Sequence, residues 1–150
     1  MTLAFTIFDL ERGTVRHTNA GHLYPYRLRE GEQPKAIESP SLPLGVRSDI
    51  VTETIEFDLH EGDALVYLSD GIVEAQNHDE DPFGFDQLEA LLAGQTTSSP
   101  DEIRQAILDA VARHSGDRPA DDDRTVMVVR FESLIRAASA EPVQLSQASA

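Results

Sequence analysis

Cysteine is absent from the 150 residues, so neither a disulfide framework nor a thiolate metal site can form. Basic residues are scarce, with 12 Lys and Arg against 27 Asp and Glu, a formal net charge of −15. Such a surface repels nucleic acid and anionic membranes, and neither is an expected partner. No stretch approaches the roughly 18 apolar residues of a membrane span. Met1 to Leu10 has no basic lead and already contains Asp9, so it does not read as a signal peptide, and a cytoplasmic location is the default expectation. Gly-rich phosphate loops are missing, as is a Gly-x-Ser-x-Gly elbow, which removes those routes to nucleotide binding and nucleophilic catalysis. No internal repeat is found.

What is present suffices for one domain, since 40% of the residues are apolar. Leu3 to Leu10 and Thr14 to Thr18 flank the turn Glu11-Arg12-Gly13 and predict a β-hairpin. Leu23 to Leu28 reads as a further strand, with Pro25 indicating an edge or a bulge. Prolines 34, 40 and 43 with Gly45 predict a long irregular loop from Pro34 to Asp49, after which Val51 to Leu59 alternates as a strand. Helices are expected over Phe85 to Leu92 and from about Asp101 to His114, the second led by Ser99-Pro100 and striped by Ile103, Ile107, Leu108 and Val111. Thr125 to Phe131 is the last strand. Residues 134–150, rich in Ala, Ser and Gln, are expected to form a disordered tail.

Two acidic clusters mark ends of strand-like runs. Leu65 to Leu68 leads into Ser69-Asp70-Gly71, and Asp121-Asp122-Asp123 leads into Thr125 to Val129. If the two runs are sheet neighbours, their carboxylates converge. An all-oxygen site favours hard cations such as Mg²⁺ or Mn²⁺. The plainer alternatives are an Asp-Gly turn with positive φ at Gly71 and a solvated acidic loop. A buried strand over Ala64 to Leu68 favours the site, because it would hold its terminal carboxylate rigidly. Asn19-Ala20-Gly21-His22 reads first as a turn. His17, His60, His78 and His114 have no ligand spacing and are expected at the surface.

Five motifs occur in order: Thr18-Asn19-Ala20-Gly21-His22 with Pro25-Tyr26; Leu42-Pro43-Leu44-Gly45; Gly62-Asp63 leading to Leu68-Ser69-Asp70-Gly71-Ile72-Val73-Glu74-Ala75; Phe83-Gly84; and Asp122-Asp123-Arg124-Thr125. Together they resemble the PPM class of metal-dependent protein phosphatases, in the bacterial branch typified by stage II sporulation protein E and the regulators of sigma-factor partner switching. The resemblance covers residues 1 to about 132 and implies an α+β fold, an α-β-β-α sandwich. It implies two Mn²⁺ or Mg²⁺ ions that activate water to attack phosphoserine or phosphothreonine. Asp70 and Asp122 correspond to metal ligands, Asp123 and Gly71 to supporting positions, and Asn19 and His22 to near-site positions. No catalytic residue is expected beyond the activated water.

Family members begin with a strand bearing a bridging aspartate in a Gly-Asp motif and a helical region with Gly-His-Gly. This sequence shows neither motif, and Asp9 and Asp49 do not replace them. The expectation is therefore a partial domain over 1–133, its first strands and helices missing through truncation, a start assigned too late, or supply by another chain. An exposed sheet edge should then offer itself for self-association or partner pairing. The leading function is a protein serine/threonine phosphatase acting on a phosphorylated signalling protein such as an anti-sigma-factor antagonist. The alternative is an inactive phosphatase domain that binds a partner, and a third reading is an acidic structural domain with incidental cation binding.

Overall fold

A run rich in β-branched and aromatic residues on either side of a Gly-containing turn sets the first hairpin. In the computed structural model, which describes residues 1–133, β1 (Leu3–Asp9) and β2 (Thr14–Ala20) pair antiparallel with Thr6 opposite His17. The turn closes through Gly13, whose φ is 67° and whose N–H donates to the Asp9 carbonyl at 2.8 Å. β5 (Thr54–Asp58) adds to β2, giving a three-stranded sheet ordered β1-β2-β5. A second sheet is ordered β4-β3-β6-β7, from β4 (Lys35–Ala36), β3 (Tyr26–Leu28), β6 (Ala64–Leu68) and β7 (Val126–Arg130). The expected tail, 134–150, lies outside the described residues.

Pro25 does not mark an edge. Pairing starts one residue later, at Tyr26, because proline has no N–H to give, and β3 lies between β4 and β6. The strand that covers it is β4, which arises within the stretch expected to be irregular.

β6 is buried on both faces. Ala64, Val66 and Leu68 join a core with α2 (Gly84–Ala93) and α3 (Pro100–Ser115), through Leu88, Leu92, Ile103, Ile107 and Val111. Leu65 turns the other way, packing between the sheets with Val15, Leu59 and Phe131. The stripe on α3 thus seals one layer, and the hairpin seals the other. The described residues form a β-β-α arrangement, three layers of an α-β-β-α sandwich. On the far side of the first sheet, Leu3, Phe5 and Ile7 are exposed.

Local signals fix the ends of α3. Ser99 and Glu102 form a reciprocal capping box, with the Ser99 N–H donating to Glu102 Oε2 at 2.7 Å and the Glu102 N–H to Ser99 Oγ at 3.3 Å. Those contacts hold the Glu102 carboxyl below its usual range. The Gly62-Asp63 turn is equally specific. Asp63, 1% exposed, accepts Arg29 Nε and Nη2 at 2.7 Å each and the His60 N–H at 2.9 Å. Arg29 is raised in pKa mainly by that hydrogen-bonded contact.

His17 departs from its expected surface position, being 1% exposed between the sheets. It occupies the inward phase of β2, between Val15 and Asn19, which are also buried. Tyr67 donates its hydroxyl to Thr6 Oγ1 at 2.9 Å, and Thr6 Oγ1 lies 2.9 Å from His17 Nδ1. His17 Nε2 is buried and has no hydrogen-bond partner among the described residues.

Candidate metal centre

Antiparallel pairing of β6 with β7 places Leu68 opposite Val126. Asp70 therefore leaves the sheet where Asp121, Asp122 and Asp123 enter it. Asp70 also begins α1 (Asp70–Val73), a single turn of helix. Tyr67 meets Thr6 and Phe131 meets Phe8 at a ring separation of 5.2 Å, so the Leu3 end of β1 and the Ala20 end of β2 share this end of the sandwich.

Ser69 locks the two acidic turns together. Its hydroxyl donates to the Asp123 carbonyl at 2.8 Å and accepts the Thr125 N–H at 2.8 Å, while its own N–H donates to the Thr125 carbonyl at 3.1 Å. Gly71 completes the fit, but not through positive φ, since it is a helical residue. A Cβ there would stand 2.6 Å from the Asp123 carbonyl oxygen, so only a hydrogen allows the close approach.

Asp70 and Asp122 are both exposed. Asp70 Oδ1 accepts the Gly71 N–H at 3.1 Å, and Asp122 Oδ1 accepts the Asp123 N–H at 2.7 Å. Asp123 contributes its backbone carbonyl to the Ser69 lock. A cleft of about 280 Å³ opens beside these turns, lined by Gly71, Glu74, Gln76, Asp121, Asp122 and Arg124 among others. Its walls are tied by Arg118, which donates Nη2 to Gln76 Oε1 at 2.7 Å and Nη1 to the Asn77 carbonyl at 3.3 Å, with Asp121 at 3.5 Å.

Asn19 and His22 build a turn rather than the cleft lining. The Asn19 side chain donates to the His22 carbonyl at 2.7 Å and accepts the His22 N–H at 2.8 Å, while His22 Nδ1 accepts the Leu23 N–H at 2.7 Å. Gly21 is pressed against Pro43, whose Cγ would lie 2.4 Å from an added Cβ. Two of the five motifs are thereby explained as one packing unit.

Exposed carboxylates at adjoining turns suit a hard, partly hydrated divalent cation. Asp70 and Asp122 are the residues here that would hold it. Among the described residues, no group of three or more His, Cys, Asp or Glu side chains is placed to hold an ion by itself. The arginines at the cleft, Arg118 and Arg124, were not singled out as site residues by the sequence pattern. The signal for Arg124 was its position inside Asp-Asp-Arg-Thr; Arg118 had none.

A sequence model for stage II sporulation protein E (SpoIIE) matches residues 1–132. The stage II sporulation protein E of Bacillus subtilis (strain 168) is 29% identical over 131 residues, which is 87% of this chain and 15% of that protein. The phosphatase domain of the cell fate determinant SpoIIE from Bacillus subtilis, Mn presoaked, matches with a TM-score of 0.67 and 26% identity, over 87% of this chain and 56% of that one. The SiaA-PP2C domain of Pseudomonas aeruginosa shares the fold, with a TM-score of 0.74 at 20% identity, over 84% of this chain and 49% of that one. The chain thus spans a small part of its curated relative and about half of the solved domains.

Proposed function

The chain belongs to the stage II sporulation protein E family of PPM-type phosphatases, and from that premise we propose that it is a metal-dependent protein serine/threonine phosphatase domain extending over residues 1–133. The observation that supports this reading best is the Ser69 lock, which joins the turn carrying Asp70 to the turn carrying Asp122. In this reading Asp70 and Asp122 serve as ligands for Mn²⁺ or Mg²⁺; a phosphatase domain of a relative has been presoaked with Mn. Bound cations supply acidified water and positive charge for the transferring phosphoryl group.

The protein's own part is positional. Ser69 and Gly71 hold the two carboxylate turns in register, Asp123 ties them through its carbonyl, and Arg118 keeps the cleft walls together. Asn19 and His22 form a bonded turn at the same end of the sandwich. The substrate class is a phosphoserine or phosphothreonine protein in signalling, such as an anti-sigma-factor antagonist.

A second reading, a partner-binding domain without turnover, is favoured by the missing third donor among the described residues. Two cations sharing too few anionic ligands repel one another. Hydrolysis of a phosphoserine peptide, with Mn²⁺ and with a chelator, separates the readings. Turnover that needs metal and disappears in Asp70→Asn supports the phosphatase; folded protein without turnover supports the partner-binding domain.

A further inference from the structure

The cleft is dominated by negative charge, with Glu74, Asp121 and Asp122 all on its lining. A phosphate monoester entering it meets carboxylates first, and needs a cationic group of the protein to face it. Two arginines are close, and they differ in how they are used. Arg118 is spent on the cleft walls and has Asp121 at 3.5 Å.

Arg124 is not spent in that way. It lines the cleft, yet among the described residues no carboxylate lies within 4.0 Å of its guanidinium. Among the described residues its side chain makes one hydrogen bond, from Nη2 to the Ser115 hydroxyl at 3.1 Å, at the buried last residue of α3. Nε is closed off from solvent and has no partner among the described residues. The guanidinium is half-buried, held at Nη2 by Ser115 and without a carboxylate in direct contact, so its other Nη donors are left for an anion that enters the cleft.

We propose that Arg124 is the phosphate-contacting residue of this cleft, donating from its guanidinium to the non-bridging oxygens of a phosphate monoester. The proposal rests on the phosphatase reading for the identity of the ester, but its chemistry is that of an anion site. A planar guanidinium fixed at one end by Ser115 presents its remaining donors in a set direction, which suits a phosphate better than a flexible ammonium does. The arginine within Asp-Asp-Arg-Thr then serves recognition, while the neighbouring Asp122 serves the cation.

Inorganic phosphate is the probe, titrated into the full 150-residue chain with Mg²⁺ present and followed by ³¹P NMR, for wild type, Arg124→Gln and Arg124→Lys. Thermal melts with and without Mg²⁺ run in parallel. The expected result is that Arg124→Gln weakens phosphate about tenfold or more. Arg124→Lys recovers part of that loss, and the Mg²⁺-induced shift in Tm is unchanged in both variants. Equal phosphate affinity in wild type and Arg124→Gln, or no phosphate binding by folded wild type, overturns the proposal. Should Arg124→Gln not fold, the Lys variant decides alone: undiminished affinity in it overturns the proposal, since an ammonium cannot reproduce the fork. If wild type shows no Mg²⁺ shift yet phosphate binding still depends on Arg124, the metal reading fails and the anion site stands.

Discussion

The carbonyl oxygen of Asp123 lies 2.6 Å from the point where a side chain on Gly71 would begin. The oxygen belongs to the backbone of the loop before β7 and Gly71 to the start of α1, so the contact cannot be relieved without moving one of the two turns.

Gly71→Ala is therefore expected to separate the two acidic turns, although its helical φ suits alanine. The cost should be about 1–3 kcal/mol, as for overpacking elsewhere. Urea denaturation measures that loss, and a Mn²⁺ titration of the folded variant should show a weaker stabilisation than in wild type. A variant as stable and as cation-responsive as wild type would show that the approach is not needed.

Ser69→Ala removes both hydroxyl contacts, the donation to the Asp123 carbonyl and the acceptance from Thr125 N–H, each at 2.8 Å. A loss of about 1–2 kcal/mol in unfolding free energy is expected. Hydrogen exchange should rise first at the Thr125 amide, whose partner has gone. Unchanged exchange there would count against the lock.

Asp63→Ala tests a residue that the family motif contains but that the fold explains. Removing it leaves Arg29 without its buried partner, at a cost of about 3 kcal/mol or more. Chemical denaturation should show a large loss, while whatever folded fraction remains keeps its cation response, because the Gly62-Asp63 turn is at the opposite end of β6 from Asp70.

Acid weakens the inter-sheet contact at His17. Its pKa is lowered from 6.5, by burial and then by the charge of His22. As pH falls through 6.5 the unfolded chain takes up a proton that folded His17 resists, so stability declines toward the lowered folded value. Denaturation midpoints between pH 7.5 and 5.5 should fall more steeply in wild type than in His17→Gln. Parallel curves would show that His17 does not contribute to the slope.

The parts of this fold that were legible in sequence are those where local pattern and burial agree. The continuous apolar run Ala64 to Leu68 marked a strand covered on both faces, and Ser99-Pro100 with the stripe through Ile103, Ile107 and Val111 marked α3 to within a residue or two. Convergence of the acidic clusters followed from the pairing of β6 with β7. Other features depend on partners far along the chain. His17 is inside, bonded to Thr6, which Tyr67 of the other sheet meets in turn, and periodicity on β2 alone did not say which face was covered. Gly71 serves a close approach across 52 residues, which no turn rule anticipates. Arg124 became visible as a site residue only when the cleft showed that the Asp-Asp-Arg-Thr arginine has no carboxylate partner among the described residues.

The central claim is that Asp70 and Asp122 hold one cation site between them. Mn²⁺-induced stabilisation of wild type, Asp70→Asn, Asp122→Asn and the double variant tests it directly, because a ligand at about 100 times its Kd adds about 2.7 kcal/mol. The account predicts that either single substitution removes most of the stabilisation and that the double variant loses little more. Single variants that respond to Mn²⁺ as wild type does, or losses that simply add, would contradict it.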